Sequence, residues 1–286
     1  MGLINETQPG ELWICLNNMK VCNCLTLILI LLTLVACATS PTGRKQLMIV
    51  SEEMAINSSK TAYTEMLKPY QEEGKLDNDP LLKARVARIT GRLIAQAVKL
   101  RPETEKWAWS MKLLDDPETV NAWAMAGGKM ALYTGLVEKI KPTDDELAQV
   151  LAHEISHALA KHTAEKMSVA MASQLGIAAV AASTDNKAVV AGSLMAAKLA
   201  IDLPNSRTAE EEADRIGIEL AAKAGYDPRA AVTLWKKMGE VSGGRTPEFL
   251  STHPSPANRA ETLGKLADKM MPYFNAPGER PSFDYQ

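Results

Sequence analysis

The pentapeptide His153-Glu154-Ile155-Ser156-His157 fixes two imidazoles at positions i and i+4. On an α-helix that spacing puts both on one face, about 6 Å apart along the axis, where they can grip one metal ion. The surroundings are helical. Thr143-Asp144-Asp145-Glu146 is a capping box, and Leu147, Leu151 and Ile155 repeat at the four-residue spacing of a buried stripe. The pattern predicts a helix running to about His162, which would sit at its end as a cation complementing the dipole. Glu154 projects beside the histidine face, where its carboxylate can reach a metal-bound water without being a ligand.

A metal with an open position for water needs a third protein ligand. Glu165 shares a stripe with His157 but lies eight residues on, about 12 Å of helical rise, too far to converge on one ion. The next acidic run is Glu210-Glu211-Glu212-Ala213-Asp214, in which Glu210, Asp214, Gly217 and Ala221 form one stripe of acids followed by small residues. Such a ridge lets this helix lie close to the histidine helix, aiming Glu210 at the metal and leaving Asp214 to orient an imidazole. Glu211 and Glu212 are alternative ligands in the same run.

Elsewhere the pattern is mainly helical. Ser51 before Glu52-Glu53 and Asp79 before Pro80 read as helix starts, with Leu82, Val86, Ile89, Leu93 and Ala97 forming an amphipathic stripe behind the second. Helices are also predicted from Asn205-Ser206 to near Gly225, and from Asp227-Pro228 and Ser255-Pro256. Alternation predicts a half-buried strand over 107–113, with Trp107, Trp109 and Met111 packing on the core. Asn121–Met125 and Met130–Thr134 are two more strand candidates around the tight turn Gly127-Gly128. The fold class is α+β, mainly helical with a small antiparallel sheet. The uncharged run 167–184 reads as a packed helix or a cover over the site, being too weakly hydrophobic for a membrane span. With 32 Lys+Arg against 34 Asp+Glu and a net charge of −2, nothing draws the chain toward nucleic acid.

All four cysteines, Cys15, Cys22, Cys24 and Cys37, lie in the first 37 residues, so no disulfide is expected beyond them. Lys20 precedes an apolar run from Leu25 to Val35, and no charge returns until Arg44. This is the pattern of a signal peptide. Leu34-Val35-Ala36-Cys37 resembles a bacterial lipobox, in which cleavage precedes the cysteine and lipid is attached to it. The expected organisation is a leader at 1–36, with 1–18 an upstream extension if synthesis starts at Met19, a lipidated tether at 37–50, a domain at 51–275 and a tail at 276–286. Ala38, where an Asp would retain such a lipoprotein in the inner membrane, favours the periplasmic face of the outer membrane.

Several stretches together resemble a known family. They are Asn121-Ala122 with Gly127-Gly128, Glu146-Leu147 leading into the histidine pentapeptide, Ser206-Arg207-x-x-Glu210-x-Glu212-Ala213-Asp214, and His253-Pro254 with Arg259. Over roughly 121–270 they look like the gluzincin zinc metallopeptidases of the HtpX and CAAX prenyl endopeptidase family, and most like its periplasmic lipoprotein branch of the LoiP and BepA type. The metzincin pattern is absent, since Ala160 and Thr163 stand where Gly and His would be. The resemblance implies a zincin-like domain holding one Zn2+, with Glu210 as the third ligand beside His153 and His157. No helical-repeat stretch like that of BepA is expected, nor a prenylated substrate.

The expected reaction is hydrolysis of an internal peptide bond, with Glu154 taking the proton of a zinc-activated water and passing it to the leaving amine. His253 and Tyr133 are candidate oxyanion donors, and Arg259 would fix the His253 loop. The segment beginning Asn121-Ala122 could offer an edge strand to an extended substrate, which suits unfolded or misassembled envelope proteins and a link to envelope assembly or quality control. The competing expectation is a non-proteolytic envelope chaperone whose zinc is closed off by His253 or His162.

Overall fold

The computed structural model describes residues 37–184, 186–202, 204–241, 248–253 and 258–285. The expected leader and the helix start at Ser255-Pro256 lie outside the described residues. The described chain enters through a hairpin of β1 (Cys37–Thr39) and β2 (Lys45–Leu47), antiparallel with Cys37 opposite Leu47. α1 (Glu52–Glu72) starts on the Ser51 hydroxyl, which accepts the Met54 N–H. α2 (Pro80–Leu100) starts on the Asp79 carboxylate, which accepts the N–H groups of Leu81 and Leu82.

A 3-10 turn (Pro102–Lys106) precedes β3 (Ser110–Leu114), so the strand predicted over 107–113 begins later. The reason is the indole N–H of Trp109, which donates to the Thr104 carbonyl at 2.9 Å and keeps this stretch out of the ladder, while both tryptophans still pack on the core. β4 (Ala122–Met125) and β5 (Lys129–Tyr133) complete a sheet of order β3-β5-β4. The expected antiparallel sheet is mixed: β4 is antiparallel to β5, but β3 is parallel to it. Successive strands reverse direction, and insertion of the third between the first two makes the first and third parallel. Gly127 and Gly128, at φ 77° and 72°, supply the turn.

α3 (Thr134–Ile140) leads into α4 (Asp144–Leu159), whose start is the predicted capping box, with Thr143 and Glu146 bonded reciprocally. α4 stops short of His162. Lys161 adopts left-handed φ 59°, which ends one helix and begins α5 (His162–Ser183), so His162 opens a helix rather than closing one. α6 (Lys187–Asp202), α7 (Pro204–Lys223), α8 (Ala230–Glu240), α9 (Glu248–Thr252) and α10 (Arg259–Phe274) follow. Beyond Ser168, α5 is half-buried or exposed, with Leu175 64% exposed, so its distal half is not the packed helix expected. None of the described helices is long and apolar enough to cross a membrane. Near the carboxyl end, the Phe283 N–H donates to the Gly91 carbonyl at 2.9 Å, laying residues 282–285 along α2.

The largest core cluster gathers α4, α2, the sheet and α7, and it buries α4 on nearly every side. α7 comes close because of Gly217: a Cβ there would lie 3.0 Å from the His153 backbone nitrogen and 3.1 Å from Ala152 C. The small-residue ridge seen in the sequence is therefore the contact that sets the distance from α7 to the histidine helix. Gly217→Val should destabilise the fold by about 1–3 kcal/mol, because helix backbone cannot yield to the added carbons. Calorimetry showing an unchanged melting temperature would disprove this.

Candidate active site

Each turn of α4 delivers one imidazole to the same point. His153 Nε2 and His157 Nε2 stand 3.1 Å apart. Glu210 arrives from α7 with Oε2 3.1 Å from His153 Nε2 and Oε1 3.4 Å from His157 Nε2. His253, just past α9, adds Nδ1 at 3.3 Å from His153 Nε2 and 3.1 Å from Glu210 Oε2. A tetrahedral zinc bound at about 2.0–2.1 Å spaces its ligand atoms about 3.3 Å apart. With Glu210 Oε2 as the carboxylate donor, four of the six edges of this set lie at 3.1–3.3 Å, and one donor atom from each residue falls within 4.8 Å of the others. Three imidazoles and a carboxylate converging on one point fit a metal ion.

The charges around the cluster are buried. His153 Nδ1 lies 3.0 Å from Asp214 Oδ1, and Arg259 forks onto Asp214 with contacts of 2.8 and 2.6 Å. Arg259 also stacks 3.5 Å from the Trp235 ring centroid and points Nη1 at the His253 carbonyl at 3.5 Å. Burial alone would lower the pKa of His153, but Asp214 and Glu210 outweigh it and raise it to about 9. Metal binding therefore displaces a proton there. Burial pushes His157 well down. It would push Glu210 up, yet the bonds from His153 and His253 hold that carboxyl far below its usual range. Glu154, fully enclosed, is raised chiefly by burial, as suits a base. Its Oε1 lies 3.3 Å from His253 Nε2.

The sequence profile of Peptidase family M48 matches residues 80–267, more than half of the chain. The chain belongs to this family. It is 34% identical over 238 residues to the protein named metalloendopeptidase OMA1, mitochondrial, of Bos taurus, covering 79% of this chain and 45% of that one. Mitochondrial metalloendopeptidase OMA1 of Schizosaccharomyces pombe is 33% identical over 223 residues, covering 77% and 63%. The beta-barrel assembly-enhancing protease of Escherichia coli is 31% identical over 208 residues, covering 69% and 41%. The chain thus spans less than two thirds of the length of these relatives. Membership in M48 accounts for the resemblance read from the motifs, and zinc is the metal that M48 peptidases use. The comparisons do not single out the HtpX, prenyl endopeptidase or lipoprotein branch.

Not every residue expected at an M48 site is near it. Tyr133 packs with Tyr70 and Trp123 in the cluster facing α1, whereas Leu132 faces the cluster containing α4. Alternation along β5 therefore turns the Tyr133 side chain away from the histidines, and it is no oxyanion donor in this arrangement. Asn121 is buried and tied: its amide donates to Glu248 at 3.2 Å, its side-chain oxygen accepts the Ala122 N–H, and its carbonyl accepts the Tyr133 N–H. It hangs α9 on β4 instead of pairing with a substrate. On the edge of β4 away from β5, the Ala122 N–H is taken by Asn121 and the Ala124 N–H by Glu154, which leaves the carbonyls of Ala122 and Ala124 facing outward. Cys37 begins β1.

His162 and Glu212 adjoin the donor set instead of ending a helix or ligating the metal. His162 Nδ1 lies 2.8 Å from His157 Nδ1, and its Nε2 lies 3.1 Å from Glu212 Oε2. The five-residue spacing from His157 to His162 was the available signal. Zinc at roughly 100 times its Kd should stabilise the fold by about 2.7 kcal/mol, raising the melting temperature by roughly 5–10 °C for a domain of this size. The rise should vanish with a chelator and in the His153→Ala/His157→Ala double variant. A melting curve indifferent to zinc would count against the metal site.

Proposed function

We propose that this M48 protein is a zinc-dependent endopeptidase of the lipoprotein branch, held by lipid on Cys37 at the periplasmic face of the bacterial outer membrane. It acts there on unfolded or misassembled envelope proteins. One observation carries the reading: the buried donor set of His153, His157 and Glu210, with the Glu154 carboxylate beside it. When bound there, zinc supplies Lewis acidity toward a water and the scissile carbonyl. Glu154 accepts the proton of the attacking water and returns it to the leaving amine, its raised pKa matching both tasks. Asp214 fixes His153, and Arg259 fixes Asp214. An extended peptide would add to the edge of β4 away from β5 by donating to the outward carbonyls of Ala122 and Ala124.

Backbone pairing of this kind reads extension rather than sequence, which is the support for unfolded substrates. The envelope setting draws on the name of the beta-barrel assembly-enhancing protease and on the lipobox-like Leu34–Cys37. The mitochondrial relatives place the same kind of domain elsewhere, so the address rests on the amino-terminal segment.

His253 favours a second state of the same site. Its Nδ1 completes the donor set and its Nε2 faces Glu154. One ring therefore fills the position a water needs and occupies the base. In this state the site is latent, and a chaperone-like protein closed by His253 is its permanent form. Glu154→Gln should keep zinc and lose roughly 100-fold or more in casein digestion. A variant that binds zinc and digests casein at the wild-type rate removes Glu154 from the mechanism.

His253→Ala should raise the rate, because it frees both the water position and the base. A fall of about 100-fold would assign the ring to the oxyanion instead. An inert wild type that stays inert with His253→Ala would favour the chaperone.

A further inference from the structure

The residues between β1 and β2 reach the zinc donor His157 through two intervening side chains, Glu212 and His162. Arg44 Nε donates to Glu212 Oε2 at 2.7 Å, and its terminal nitrogens fork onto Glu165 at 2.7 and 2.6 Å. The hydroxyls of Ser40 and Thr42 donate to Glu212 Oε1. Gln46 Nε2 reaches Glu165 at 2.8 Å and the Ala160 carbonyl at 2.7 Å. This hairpin therefore grips the start of α5 and the acidic turn of α7 together. Glu212 has both oxygens taken, and the last donor to it is His162 Nε2.

That last bond decides where protons sit. A carboxylate only accepts, so a neutral His162 carries its one proton on Nε2 and a lone pair on Nδ1. The contact of 2.8 Å between the two Nδ1 atoms then requires a hydrogen on His157 Nδ1. The Nε2 of His157 is left with its lone pair aimed at the donor set, as a zinc ligand must have.

We infer that His162 is a positioning residue for His157, held by Glu212 and through it by Arg44 of the amino-terminal hairpin, so that residues 40–46 form part of the metal site. His153 has its own anchor in Asp214 and Arg259, so the two imidazoles are set independently. The inference rests on the zinc reading above.

The test uses the purified full chain, with zinc affinity measured by competition against a chromophoric chelator at fixed pH, and with the visible spectrum of the cobalt-substituted protein. His162→Ala should weaken zinc binding 10- to 100-fold and alter the cobalt bands, which report ligand geometry. His162→Gln should recover part of the affinity, since its amide oxygen can accept from His157 Nδ1. Arg44→Met should weaken binding in the same direction by less. Wild-type affinity and an unchanged cobalt spectrum in folded His162→Ala overturn the inference, as does a lowered melting temperature with affinity intact. Should His162→Ala not fold, Arg44→Met decides alone, and unchanged zinc affinity in it is the overturning result. A wild type that binds no zinc sinks the zinc reading itself, a different failure.

Discussion

The backbone of α4 at His153 passes about 3 Å from where a side-chain carbon on Gly217 would stand, and this approach sets the position of everything α7 contributes. Glu210 lies two turns before Gly217 and Asp214 nearly one. Once the helices touch at Gly217, Glu210 falls among the imidazole Nε2 atoms and Asp214 falls behind His153 Nδ1. A larger residue would move both carboxylates together, so a purely steric contact governs the polar geometry.

The second constraint is charge. Glu154 and Glu210 are buried and Asp214 is half-buried, and the guanidinium of Arg259 faces both Glu210 and Asp214. Carboxylates brought out of water cost several kcal/mol each unless paired. In the absence of a metal, the arrangement compensates by keeping a proton on His153 and by raising Glu154 toward its neutral form. A divalent cation held by these donors would supply the missing positive charge and displace the His153 proton. Farther out, the Glu212 and Glu165 carboxylates face Arg44, and Glu146 faces Lys237.

Motifs whose meaning is local were legible in the sequence. The capping residues Ser51, Asp79 and Thr143 start the helices they predict, and the spacing of His153, His157, Glu210 and Asp214 brought the ligand candidates to one place. What was not legible depends on parity or on distant partners. One residue of alternation along β5 decides whether Tyr133 faces the histidines or Tyr70. The order β3-β5-β4 depends on where the third strand inserts, which no turn residue encodes. His162 read as a helix-end charge because its partner, Glu212, is 50 residues away and the left-handed Lys161 that redirects the chain has no strong sequence signature.

The two imidazoles on α4 are braced from opposite parts of the chain, and this bears on how the site assembles. His153 takes its brace from Asp214 and Arg259, at the head of α10, whereas His157 takes its brace from His162 and Glu212, which the hairpin at residues 40–46 holds. Neither brace is complete until a segment remote from α4 has docked. Because a metal rewards only a donor set that is already in place, its binding favours the docked form of both segments at once. The hairpin carrying Arg44 follows directly on Cys37, the residue proposed to bear lipid. Through Ser40, Thr42 and Arg44 this hairpin and the metal site share one continuous set of hydrogen bonds, running by way of Glu212 and His162 to His157.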